Sequence, residues 1–328
     1  MLSAGDIQRL LGIEECIAAV EAAFRVYGEG KTAPPGVLGV QVENGGFHIK
    51  AGALAWQRAY FAAKVNGNFP ENRRRFGLPT IQGLIVLADA ENGCPVAVMD
   101  SAEVTALRTA AATAVAAKYL AREDSRTVAV CGCGVQGGYQ LRALARVLQL
   151  EKAYAYDLEE QKAEQFAREL SAELGIEVAA VRSFGEASRR SDVCVTCTTS
   201  QRFFLTQADV KAGTFVAAVG ADNPMKQEIE PALVAASTLV VDVLEQCATI
   251  GDLHHALEAG LVTKADVHAE LGEVVAGRKA GRRSEEEIIV FDSTGMALQD
   301  VAAAAVVYEK AMASGDGAGF DFSGVHKA

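Results

Sequence analysis

The stretch Val128-Ala129-Val130-Cys131, Gly132-Cys133-Gly134-Val135-Gln136-Gly137, and then Ala153-Tyr154-Ala155-Tyr156-Asp157 decides how the chain folds. An apolar run breaks at a G-x-G-x-x-G turn. It continues through Gly138-Tyr139-Gln140-Leu141 with helical character and reaches a second short run that ends on an acid. This order, strand, turn, helix, strand, acid, is what a dinucleotide needs. Gly132 permits the tight turn, Gly134 lets backbone approach a pyrophosphate, and Gly137 lets the helix pack closely on the sheet. The helix N-terminus at Val135 and Gln136 offers N–H groups and a partial positive charge to phosphate. A bare G-x-G-x-x-G is as readily an ordinary glycine-rich turn; the flanking strand, helix and acid favour the nucleotide site. Asp157 lies about twenty residues past the last glycine, where a carboxylate accepts from ribose hydroxyls. It would repel a 2′-phosphate, and Leu158-Glu159-Glu160 supplies no arginine to receive one, so NAD is expected over NADP.

Working outward, the 328 residues suffice for two domains. A formal net charge of −11 argues against nucleic acid or an anionic membrane as the main partner. The basic clusters Arg73-Arg74-Arg75 and Arg278-Lys279 with Arg282-Arg283 are read as solvated loops. Met1-Leu2-Ser3-Ala4-Gly5-Asp6 has no basic stretch leading into an apolar one, so no signal peptide is expected. No apolar run is long enough to span a bilayer. Seven scattered cysteines suit reduced thiols, and a cytoplasmic location is expected. Cys194 and Cys197 would point to opposite faces of a strand, which is no redox motif. The five histidines show no metal-ligand spacing, and the adjacent His254 and His255 are expected to diverge on a helix, so no metal is assigned.

Ahead of the glycine turn, Ser3 resembles a helix N-cap, and Ile13, Ile17, Val20, Phe24 and Tyr27 follow helical spacing up to Gly28 and Gly30. Strand-like segments follow at 37–42, 46–51, 59–65, 80–87 and 94–99, with residues 66–79 polar and irregular. Asp100 and Glu103 can cap a long alanine-rich helix over 102–120. Behind the turn, strands near 177–181, 192–196, 214–219, 239–243 and 287–291 alternate with helices, the pattern of a parallel sheet covered on both faces. A last apolar helix begins near Met296 and is expected to return to the first domain. The tail from Ser314 is glycine-rich and expected to be loose.

Four features can carry chemistry, and each has a bland alternative. Lys64 ends an apolar strand; it either snorkels to the surface or serves a carboxylate. Arg108 lies among alanines that leave room for a ligand, and its guanidinium can fork onto a carboxylate, or it is a surface helix arginine. Asp222 follows a strand end, where ligands of open α/β sheets bind, and could exchange a proton with a nitrogen; otherwise it forms a turn. Asp292-Ser293-Thr294-Gly295 caps a helix, faces a nicotinamide, or does both.

Together the stretches Lys64-Val-Asn-Gly-Asn-Phe-Pro, Gly77-Leu-Pro-Thr-Ile-Gln-Gly83, Thr105-Ala-Leu-Arg-Thr-Ala-Ala111, Gly132-Cys-Gly-Val-Gln-Gly137, Val219-Gly-Ala-Asp-Asn-Pro-Met-Lys226 and Phe291-Asp-Ser-Thr-Gly295 resemble the ornithine cyclodeaminase/mu-crystallin family over nearly the whole chain. The resemblance implies an α/β fold: a Rossmann dinucleotide-binding domain, placed at 122–299, and a smaller α+β substrate and dimerisation domain, placed at 1–121 plus 300–328. It implies a homodimer acting on a small amino or imino acid with NAD, by hydride transfer at Cα through an imine. The outcome would be that of an amino-acid dehydrogenase, an imine reductase or a cyclodeaminase. By the same resemblance Lys64 and Arg108 hold the substrate carboxylate, Asp222 handles protons at the amine, and Lys226 and Ser293 contact cofactor. Many members also grip the carboxylate with an arginine on an early strand. Residues 34–42 contain none here, and Lys50 is the candidate substitute. Asn68 stands where cyclodeaminases often have histidine. The alternative is a nucleotide-linked small-ligand binding protein with little turnover, as in the mu-crystallin branch.

Overall fold

The computed structural model describes residues 1–55 and 58–320. The chain divides into two compact units. One comprises Met1–Ala23, Thr32–Arg108 and the chain from Ala297; the other comprises Phe24–Lys31 and Thr109–Met296.

The first unit is built on a five-stranded antiparallel meander, β1 Gly36–Val42, β2 Gly45–Ala55, β3 Ala59–Asn68, β4 Ile81–Asp89 and β5 Pro95–Asp100, in that spatial order. Alternation gives the sheet two unlike faces. On one, Leu54, Tyr60, Ala62, Ile85, Leu87 and Met99 are buried, and the helix Ala297–Ser314 lies against β2 and β3. Gly52 makes that approach possible, since a Cβ there would come within 2.9 Å of Leu298. On the other face Leu38, Phe47, Phe61, Val65, Leu84 and Val86 stay exposed, a broad apolar surface for a single chain.

Two expectations change in this unit. Residues 66–79 are not irregular throughout: β3 runs on to Asn68, and Asn72–Phe76 is a short helix carrying Arg73, Arg74 and Arg75. The polarity of Asn66 and Asn68 reflects the face they occupy, shared with Lys64, and not a loop. The tail is tied down at least as far as Ala318, whose N–H donates to the Met1 carbonyl; residues 321–328 lie outside the described part. Asp100 does cap the long helix Ser101–Leu120, accepting from the Ala102 and Glu103 N–H groups at 2.9 and 3.3 Å.

The second unit carries β6 Thr127–Cys131, β7 Lys152–Tyr156, β8 Glu177–Ala180, β9 Val193–Thr196, β10 Gln201–Leu205, β11 Phe215–Ala218, β12 Gln227–Ile229, β13 Thr238–Val241, β14 Ala269–Glu270 and β15 Ile289–Asp292. Eight of these form one parallel sheet in the order β14-β13-β15-β11-β9-β6-β7-β8, and β10 pairs with β12 apart from it. The α/β class is as expected. The strands β10, β12 and β14 were not, because each is short. From β6 the chain winds one way to β7 and β8 and then the other way from β9. The reversal between β6 and β9 is where doubly wound sheets bind ligands. Arg282 is not a solvated loop residue: its Nε donates to the Leu120 carbonyl at 2.8 Å and its Nη1 to the Glu287 carbonyl at 2.5 Å, and Arg283 pairs with the Glu287 carboxylate. No helix among the described residues is long and apolar enough to cross a membrane.

The acids Glu228, Asp242, Asp252 and Asp292 of this unit keep at most 1% of their surface exposed. Glu228 accepts from the Thr198 and Gly220 N–H groups at 2.6 and 3.0 Å, and Asp252 from those of Glu228 and Ile229 at 2.8 and 2.9 Å. Burial, then the neighbouring Asp252, pushes Glu228 up to about 7, and burial pushes Asp252 up to about 6. Asp292 is raised as well, by burial and then by Asp252. A carboxyl whose folded value is raised binds its proton more tightly in the folded chain. Its contribution is full below the unfolded value and fades as pH rises through the folded one. Stability is therefore expected to fall between about pH 4.5 and pH 7. Glu228→Gln should flatten that slope in denaturant titrations across the window, whatever it does to absolute stability. Parallel pH dependences for the two proteins would contradict the assignment.

Candidate active site

The polar residues of the first unit meet on the covered face of its sheet. Strand register sets Lys50 directly opposite Lys64, and His48 opposite Asn66 one row further on. Gly83, across from Asn66 on β4, keeps that row open: a Cβ there would lie 2.4 Å from Asn66 Oδ1 and 2.8 Å from Ser101 Oγ. Lys64 Nζ donates to Asp300 Oδ1 at 2.8 Å and reaches Thr105 Oγ1 at 3.3 Å. Arg108 Nε donates to the same Asp300 oxygen at 3.0 Å, and its Nη1 to Gln299 Oε1 at 2.9 Å. Lys64, Arg108 and Asp300 keep only 3%, 5% and 1% of their surface exposed. Lys64 therefore does not snorkel, and Arg108 is no surface arginine.

The electrostatics follow from that burial. Desolvation, and after it the Arg108 guanidinium, push the Lys64 amine down to about 7, against the pull of Asp300; Lys50 adds to the depression. Burial alone would raise the Asp300 carboxyl, but Arg108 and Lys64 more than offset it and hold the acid below its ordinary range. Asp300 Oδ2 and Gln299 Nε2 are buried without a hydrogen-bond partner among the described residues. A cluster with more cations than anions, out of water and with the Gln299 amide donor to spare, is suited to an anionic ligand.

Asp300 and Gln299 were not among the expected site residues. The available signal was two adjacent polar residues in the otherwise apolar run Met296-Ala-Leu-Gln-Asp-Val-Ala-Ala-Ala-Ala. Lys50 is buried on the site face beside Lys64.

In the second unit, the turn after β6 has the geometry that the glycines require. Gly132 adopts φ +105°, and a Cβ on it would lie 2.8 Å from the Cys197 carbonyl oxygen at the end of β9. A Cβ on Gly137 would lie 2.0 Å from the Gly132 oxygen, so the third glycine seats the helix Val135–Val147 on the turn. Gly134 is the helix N-cap, with nothing within 4 Å of where its Cβ would point, and Val135 beside it is exposed. The first intrahelical bond here runs from the Gly138 N–H to the Gly134 carbonyl at 3.2 Å. The N–H groups of Val135, Gln136 and Gly137 precede it, in the position that binds phosphate. Asp157 Oδ2 accepts from the Cys133 N–H at 3.0 Å and Oδ1 from the Glu159 N–H at 3.0 Å. The acid thus braces the turn, and each oxygen keeps accepting capacity for a hydroxyl. Leu158 beside it is almost fully exposed. These residues fit a dinucleotide: an open cradle, a helix N-terminus beside it and an acid at the ribose position.

Asp222 sits on the loop after β11, half-exposed, with Lys226 Nζ 2.7 Å from its Oδ1 and Asn223 Nδ2 3.3 Å from the same oxygen. Lys226 Nζ also donates to the Gly220 carbonyl at 3.2 Å. A ring nitrogen of His255 lies 2.8 Å from the Lys226 carbonyl and ties the loop to the helix Asp252–Glu258. His254 and His255 do not diverge as expected. Their ring centroids are 5.1 Å apart, and one ligand atom from each of His254, His255 and Glu258 lies within 4.8 Å of the others. His254 turns toward Glu258 one helical turn on and His255 toward Lys226, which keeps the rings together.

Ser293 is buried. Its hydroxyl donates to Asp242 Oδ2 at 3.2 Å, the Thr294 hydroxyl to Asp242 Oδ1 at 3.1 Å and the Gly295 N–H to Asp242 Oδ2 at 2.6 Å. Asp242, overlooked in the sequence, therefore shapes this turn from the end of β13. Asp292 is not a helix cap: it accepts from the Leu253 N–H at 2.9 Å.

An alanine dehydrogenase of Archaeoglobus fulgidus is 41% identical over 322 residues, covering 98% of either protein. A solved archaeal alanine dehydrogenase dimer with bound NAD superposes with a TM-score of 0.93 at 40% identity, covering 98% of each chain. The Δ1-pyrroline-2-carboxylate reductase of Thermococcus litoralis, solved with NADH and L-proline, superposes with a TM-score of 0.89 at 35% identity, covering 97% of this chain and 99% of that one. The sequence model of the ornithine cyclodeaminase/mu-crystallin family matches residues 1–315. This chain belongs to the ornithine cyclodeaminase/mu-crystallin family.

Proposed function

We propose that this protein is an NAD-dependent oxidoreductase that interconverts a small α-amino acid and its imine. The observation that carries the reading is the buried pair Lys64 and Arg108 on the polar face of the sheet, anchored by one carboxylate. Similarity to an alanine dehydrogenase and to a pyrroline-2-carboxylate reductase supports the substrate class.

Arg108 contributes a planar fork and Lys64 a compact charge, and together they hold a carboxylate in a fixed orientation. Lys50 adds charge on the same face. NAD, when bound, supplies the acceptor or donor of the hydride at the substrate Cα. The turn Gly132, Gly134, Val135, Gln136 and Gly137 holds its phosphates, and Asp157 its ribose. Lys226 and Ser293 belong to the loops that follow β11 and β15, at the carboxyl ends of the sheet where cofactor lies in such folds. Asp222 accepts a proton from the substrate amine during oxidation and returns it during reduction. Its ion pair with Lys226 fixes the direction in which the carboxylate points. Orientation of the two reactants is the main catalytic contribution, because hydride transfer needs near-contact geometry.

The exposed apolar face of the meander is the proposed homodimer interface. Its rows Leu38, Ile49, Val65 and Leu84, then Ala63 with Val86, form a continuous patch that water would otherwise cover. A charge placed in its centre by Val65→Asp should turn the dimer into a monomer in sedimentation equilibrium. A dimer that persists in that variant would put the interface elsewhere.

With NAD and L-alanine or L-proline as substrates, Lys64→Ala and Arg108→Ala should each raise KM by about ten- to hundredfold, the worth of a charge-assisted hydrogen bond. Affinity for NADH should stay unchanged, and Asp222→Asn should chiefly lower kcat. Wild-type constants in all three variants would discard the assignment. Net formation of NADH separates this reading from a cyclodeaminase, which returns its hydride, and from a binding protein. Exchange of NADH for NADPH should cost most of kcat/KM, because Asp157 repels the extra phosphate. A preference for NADPH would reject that role of Asp157.

A further inference from the structure

We propose that Asp300 is a positioning residue that sets the charge Lys64 presents to a substrate carboxylate. The inference rests on the reading of Lys64 and Arg108 as a carboxylate clamp. Three separate elements meet at one oxygen: β3 brings Lys64, the helix Ser101–Leu120 brings Arg108, and the helix Ala297–Ser314 brings Asp300. Two cations share Asp300 Oδ1, and Gln299 from the same helix turn takes a second nitrogen of the guanidinium. The last helix therefore fixes both members of the clamp relative to each other.

Among the described residues the charged and titratable groups around Lys64 are Lys50 on β2 with His48 one row further on, Arg108 on the long helix, Asp300 on the last helix, and beyond them Cys16 on the helix Ile13–Gly28. Burial pushes the Cys16 thiol up to about 12, so it stays neutral. Lys50 and Arg108 both work against a proton on Lys64, and burial does too. Asp300 is the group that retains it. Arg108 cannot give up its charge, so any loss at Asp300 falls on Lys64. A neutral amine still donates a hydrogen bond, but it no longer attracts a carboxylate as an ion. Asp300 does not need to touch substrate to act. It keeps the clamp cationic while leaving Lys64 close to losing its proton at neutral pH.

The test follows the Lys64 amine directly. Full-length protein with NADH bound and carbon-13 in its lysine side chains is titrated by NMR, and the Lys64 signal is assigned by its disappearance in Lys64→Arg. The wild-type signal should titrate far below those of the surface lysines. In Asp300→Asn the midpoint should fall by about one pH unit or more. A midpoint that stays in place, or rises, overturns the proposal. If Asp300→Asn does not fold, Asp300→Glu keeps the charge on a longer arm. Its Lys64 midpoint should remain at the wild-type value or above it, and a fall would overturn the proposal equally. Kinetics keep the two claims apart. Unchanged KM in Lys64→Ala and Arg108→Ala refutes the clamp, whereas raised KM in both with an immobile Lys64 midpoint in Asp300→Asn refutes only the role of Asp300.

Discussion

Two cations buried against a single carboxylate are the constraint around which the first unit is organised. Taking Lys64 and Arg108 out of water is costly, and one Asp300 oxygen shared between them offsets only part of that cost. Apolar residues of similar volume would fold at least as well in such a place. Stability alone therefore does not explain the cluster. The same logic accounts for the depressed Lys64 amine, for the polar row of His48 and Asn66 inside an otherwise apolar sandwich, and for Gly83, whose missing side chain leaves that row room. Alanine at so many positions of the last helix lets it lie close to β2 and β3 and bring Asp300 to Lys64.

The second unit solves a different problem with backbone. Its binding features are three glycines, one helix N-terminus and one acid, placed where the strand order reverses between β6 and β9. The close approach of Gly132 to Cys197 joins the two strands that flank the reversal. Asp157 closes the turn through the Cys133 N–H and so holds the cradle in shape. Asp242 plays the equivalent part after β15, gathering Ser293, Thr294 and Gly295 with three hydrogen bonds.

Much of this was legible in the residues. The glycine turn declares itself because it demands glycine at fixed offsets, and the continuous apolar strands behind it declare a parallel sheet. Lys64 and Arg108 stood out as charges amid apolar runs. Asp300 did not, because an acid in a first helical turn reads as dipole compensation, and only tertiary packing reveals that it faces two cations. Lys50 was singled out as the substitute for the missing arginine; its place directly opposite Lys64 follows from the register of β2 and β3, which is invisible in composition. Asn66 and Asn68 were mistaken for loop because function had placed polar residues on a strand face that folding alone would fill with apolar ones. Strands of two to five residues such as β10, β12 and β14 carry too few side chains to show a period. The paired histidines were misjudged because backbone spacing does not determine where two rings point once each has a partner.

The most direct measurement is a crystal structure of the protein with NADH and L-proline, the pair bound in the Thermococcus relative. The account predicts carboxylate oxygens at hydrogen-bond distance, about 3 Å, from Lys64 Nζ and the Arg108 guanidinium. Proline held with its carboxylate away from both cations, while they remain closed on Asp300, would contradict it.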